Sequence, residues 1–82
     1  MDDYLHVPYR AWKAIRWAAR AALRSKGYTA AELASPETRA RAFDELTSDL
    51  RGPDHLPASQ RAAMIAAAAN YALDREIRSA RT

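Results

Sequence analysis

Glycine occurs at only two positions, Gly27 and Gly52, and each falls where a helical apolar pattern breaks off. The four prolines obey the same punctuation: Pro8, Pro36, Pro53 and Pro57 all fall near predicted helix starts or just after a stop. No stretch alternates at period two, and valine occurs once, so strands are not expected. The spacing predicts an all-α chain of three main helices plus one short helix. They cover about residues 8–26, 30–34, 36–51 and 57–80 of a single domain spanning residues 1–82. The short helix opens on the capping box Thr29-Ala30-Ala31-Glu32. The next one opens on Ser35 as cap, Pro36 in the first turn and Glu37 at the positive helix end.

The material for a core is thin. Of the 49% of residues that count as hydrophobic, half are alanine, twenty in all, and a single methyl adds little burial. Ordering costs about 1.5 kcal/mol per residue, so burial and ordering come close to cancelling. Such a chain gains by covering more surface against a copy of itself or a partner. On a helical wheel with about 100° per residue, the third helix turns Ala40, Phe43, Leu46, Thr47 and Leu50 inward. Its Glu37, Asp44, Glu45 and Asp49 then form an acidic outer face. The fourth carries one seam of Ala62, Ala66, Ala69, Leu73, Ile77 and Ala80, widened by Ile65 and Ala72. Met64, Ala68 and Tyr71 make a second seam. A helix apolar around that much of its circumference is central to a bundle or lies in a homodimer interface.

The first helix has the one lopsided surface. It holds Arg10, Lys13, Arg16, Arg20, Arg24 and Lys26, and no acid intervenes between Asp3 and Glu32. All of these cations but Lys26 fall within a sector of about 120°. Ala11, Trp12, Ile15, Ala18, Ala19, Ala22 and Leu23 make the opposite, core-facing side. Trp17 projects into the basic sector and Tyr9 lies at its edge. Cations neutralise phosphates or acidic side chains, and an indole supplies a stacking or anchoring face. The bland counterpart is a solvated face, or one whose arginines pair with Glu37, Asp44 or Asp49 of the third helix.

Other chemistry finds little support. There is no cysteine, so disulfides and thiolate metal sites are excluded. His6 and His55 fall in predicted loops without a ligand partner at helical spacing, and no glycine-rich phosphate loop is present. Residues 29–46 resemble a helix-turn-helix only faintly, because the turn is too short and the second helix is acidic. Asn70 interrupts an alanine run at the edge of the polar sector, where exposure is expected. The first residues are acidic, unlike a signal peptide, and the longest apolar run, residues 62–69, is far below the ~20 residues of a membrane span. A cytoplasmic protein without cofactor, metal or membrane contact is expected.

These features imply a non-enzymatic binding protein rather than an enzyme. The first expectation is a small regulatory or inhibitory protein, of the kind found in phage and mobile elements. It would dock on another protein through Tyr9, Arg10, Lys13, Arg16, Trp17, Arg20 and Arg24. The coexistence of a basic aromatic face and an acidic helix favours a specific protein surface over a uniform polyanion. A nucleic-acid partner on the same face, in keeping with the sequence pI of 9.7, is the alternative. A structural homodimer through the fourth helix is a third.

Overall fold

In the computed structural model, which describes residues 9–79, the chain forms four helices: α1 (Tyr9–Lys26), α2 (Ala30–Leu33), α3 (Pro36–Asp49) and α4 (Ala58–Ser79). The expected all-α class holds, with three main helices plus a short one and no strand among the described residues. Pro8 and Ala80, the expected first and last residues of the outer helices, lie outside the described residues. The third helix stops at Asp49 rather than Arg51.

Local chemistry accounts for most of the boundaries. Gly27 follows α1 with φ of +79°, a left-handed conformation that costs a side chain-bearing residue strain. At α2 the capping box closes as expected. The Glu32 amide donates to Thr29 Oγ1 (3.1 Å), and the Thr29 amide donates to Glu32 Oε1 (2.8 Å). Ser35 is the N-cap of α3 by backbone geometry, but its hydroxyl makes no capping hydrogen bond, so Pro36 in the first turn sets that start. Gly52 serves spacing rather than φ. A Cβ there would come within 3.1 Å of Arg61 Cβ and Cγ, so a side chain at this position would require Arg61 in the first turn of α4 to give by a few tenths of an ångström.

The core is one cluster fed by every helix. Ile15, Ala19 and Leu23 come from α1, Leu33 from α2, and Ala42 and Leu46 from α3, with Leu50 just past its end. Met64, Ala68, Ala69, Ala72 and Leu73 come from α4. Helix α4 is the central element and touches each of the other three. Its two expected seams are therefore both used inside the molecule, where Met64, Ala68, Ala69, Ala72 and Leu73 are all buried. The N-terminal end of the first seam is not: Ala62 is exposed. Helix α3 is rotated from the expected stripe. Ala42 is buried in place of Ala40, which is exposed, while Phe43 and Thr47 are half-buried. The rotation brings Glu45 off the outer face to accept a hydrogen bond from the Tyr28 hydroxyl (2.9 Å). In α1, Ala18 is exposed rather than buried, for a similar reason: the core stripe centres on Ala19 and runs from Ile15 to Leu23.

Polar contacts tie the helices together at their edges. Lys26 at the end of α1 reaches Asp49 at the end of α3 (2.7 Å). Arg39 of α3 donates to Asp74 (2.9 Å) and Asn70 (3.2 Å) of α4, so Asn70 is exposed as expected and also bonded across helices. Both ion pairs are solvent-exposed, and such pairs are worth about 0–1 kcal/mol. The fold rests on the apolar cluster.

Candidate binding face

Helix α1 presents its basic sector in two parts. The outer part holds Tyr9, Arg10, Lys13, Trp17 and Arg24, all exposed. Tyr9 is 66% and Trp17 65% exposed, and these are the two large hydrophobic side chains most open to solvent among the described residues. An indole left that open forgoes about 2–3 kcal/mol of burial, the amount a large side chain gains in a core. Each ring has a cation over it: Lys13 Nζ lies 5.6 Å from the Tyr9 ring centre and the Arg20 guanidinium 5.7 Å from that of Trp17. The rest of this side is flat, because Ala14, Ala18 and Ala21 are exposed beside Trp17. The outer face is an indole and three methyls bordered by cations.

The inner part turns toward α4. Arg16 stands about 20° from Leu23 on the wheel, at the edge of the core stripe. It is half-buried, stacked between Trp12 (5.3 Å) and Tyr71 of α4 (4.8 Å). Its Nε is buried and has no acceptor among the described residues. Of the seven expected site residues, Arg16 is the one the fold takes inward, where its stem and guanidinium join α1 to α4. Arg20 is half-buried and lies between the two parts.

The contact of Arg16 with Tyr71, and that of Arg20 and Arg24 with the 75–79 turn, show that α1 and α4 run side by side with their C-terminal ends together. Between those ends is a groove of about 390 Å³ lined by Arg20, Arg24, Arg75, Glu76, Arg78 and Ser79. Arg75 and Arg78 were not among the expected site residues. Their three-residue spacing on the last turns of the fourth helix was visible, but their proximity to Arg20 and Arg24 depends on a helix pairing that no local pattern announces.

The internally satisfied alternative is not what the described residues form. Their two ion pairs use Lys26 and Arg39, and neither Glu37 nor Asp44 pairs with the α1 sector. Two titrating groups at the α1–α3 junction are shifted. Lys26 is held above its ordinary value, first by its hydrogen bond to Asp49, against the opposing effect of desolvation. Tyr28 is raised too, first because its hydroxyl donates to Glu45 and then by desolvation. Neither belongs to the outer face.

No helix among the described residues is long and apolar enough to cross a membrane. No family model, curated protein or solved structure matches the chain. What the face does has to be argued from its own chemistry.

Proposed function

We propose that the protein is a small non-enzymatic regulatory or inhibitory protein of the cytoplasm that acts by docking on another protein through the outer face of α1. The observation that carries this reading is Trp17, 65% exposed among cations that have no carboxylate partner among the described residues. A tryptophan with a basic border resembles the centre of a protein interface, where Trp and Arg are enriched and carry most of the energy. The exposed Ala14, Ala18 and Ala21 add a flat apolar strip that lets a partner's backbone approach closely. The matching surface has a pocket for the indole and acidic groups around it.

A nucleic-acid partner is the second reading, favoured by the continuous row Arg10, Lys13, Arg20 and Arg24. The two differ in salt dependence. Capture with the tagged full chain, followed by titration of the captured partner at several salt concentrations, separates them. A protein partner gives a shallow dependence and loses about 2 kcal/mol or more of affinity with Trp17→Ala. A duplex contacted at about four or five phosphates gives a logarithmic slope near −4, flattened by about one unit by Arg20→Ala. That second pattern would replace the protein-docking reading.

A further inference from the structure

We infer that the groove between the C-terminal ends of α1 and α4 is a binding site for a multiply charged phosphate-class anion, adjoining the outer face of α1 and sharing Arg24 with it. Four arginines, Arg20, Arg24, Arg75 and Arg78, line a space of about 390 Å³, and Glu76 is the one carboxylate among its lining residues. Neither ion pair of the described residues involves any of the four arginines. Part of this charge has an ordinary explanation. Arginines in a helix's last turns complement its partial negative end, about half a charge per helix. Two such ends and one carboxylate offset about two of the four positive charges, and the described residues that line the groove supply no further counter-charge.

The shape suits a compact anion rather than a flat polymer surface. Arginines from two helices line one recess, and a guanidinium can offer two parallel N–H donors to an oxyanion. Four such side chains around one recess match the many acceptor oxygens of a di- or polyphosphate better than a single carboxylate with two. The same chemistry is available from a free phosphate compound or from the 5′ end of a nucleic-acid strand. Arg20 borders both the groove and Trp17.

The test uses the full chain and the double variant Arg75→Ala/Arg78→Ala, which leaves α1 untouched and is thus silent on the protein-docking face. Thermal unfolding is followed in sodium pyrophosphate and in sodium chloride of equal ionic strength. At a pyrophosphate concentration about five times the dissociation constant, the wild-type midpoint rises by roughly 4–8 °C beyond the chloride control, and the variant shows no such excess. Side-chain NMR of the wild type gives a second readout that does not depend on the variant folding: the Nε–H signals of Arg20, Arg24, Arg75 and Arg78 shift saturably together. A short 5′-phosphorylated oligonucleotide that binds more tightly than pyrophosphate assigns the anion to a strand end, and equal or weaker binding assigns it to a free compound. Equal midpoints in pyrophosphate and chloride, or arginine signals that do not saturate, would overturn the site.

Discussion

Arg16 and Trp17 are neighbours in sequence with opposite duties. Arg16 is clasped by Trp12 and Tyr71 across two helices, while Trp17 spends its ring on solvent. Arg16→Ala should therefore lower stability by about 1–2 kcal/mol, from lost stacking and lost packing of its stem. Trp17→Ala should melt within about 2 °C of the wild type, since a surface change of up to half a kcal/mol moves the midpoint little. Thermal unfolding of the two variants side by side checks this, and the reverse order would place the indole in the core. Gly27→Ala should cost about 1 kcal/mol through backbone strain alone, because nothing lies within 4 Å of the added Cβ. Titration has its own residue-scale signature. Tyr28 and Lys26 both have raised folded values. The stability each adds is fully present below its unfolded value and disappears as pH rises through the folded one. Stability should thus be insensitive to these groups below about pH 9 and fall above about pH 10, where they titrate. Tyr28→Phe should blunt the fall, as read from urea midpoints across alkaline pH.

At the scale of elements, the capping box of α2 and the central place of α4 make separate predictions. Thr29→Ala should cost about 1 kcal/mol by orphaning the Glu32 amide. Ala69→Glu should unfold the chain, because Ala69 is fully buried against the other helices, whereas Ala67→Glu, on the exposed side of α4, should be tolerated. Circular dichroism of the two variants decides it, and a folded Ala69→Glu protein would show that α4 is not the centre of the core. The helices themselves were legible from Gly27, Thr29, Pro36 and the apolar spacing, because those signals are local. The facing of α3 was not. Leu46 and Leu50 are compatible with Phe43 and Ala40 on one flank or Ala42 on the other. The expected stripe was off by part of a turn: Phe43 packs at the edge of the core and Ala40 is exposed, while the small Ala42 is buried. The same ambiguity hid Arg16, whose charge suggested the surface although its wheel position borders Leu23. The place of Trp17 opposite the stripe of Ile15, Ala19 and Leu23 was legible, but whether the second or third helix covers it was not, because that depends on helix packing, which leaves it exposed.

For the whole molecule, the division of labour follows from the small number of its large apolar side chains. With alanines filling so much of the interior, nearly every large apolar group among the described residues is buried or half-buried, and an open tryptophan is costly. The cations around it keep that surface hydrated and, under the proposed function, complement an acidic partner. Charge is distributed to match: the outer face of α1 is basic, Asp49 and Glu45 of α3 answer Lys26 and Tyr28 at the junction, and the arginine groove lies at the shared end of α1 and α4. The proposed function requires Trp17 to anchor a protein partner without supporting the fold. The most direct measurement is calorimetric titration of the captured partner with wild type and with Trp17→Ala at physiological salt. The account predicts a loss of about thirtyfold or more in affinity, the equivalent of about 2 kcal/mol, in a variant that is fully folded. An affinity within about twofold of wild type would contradict it.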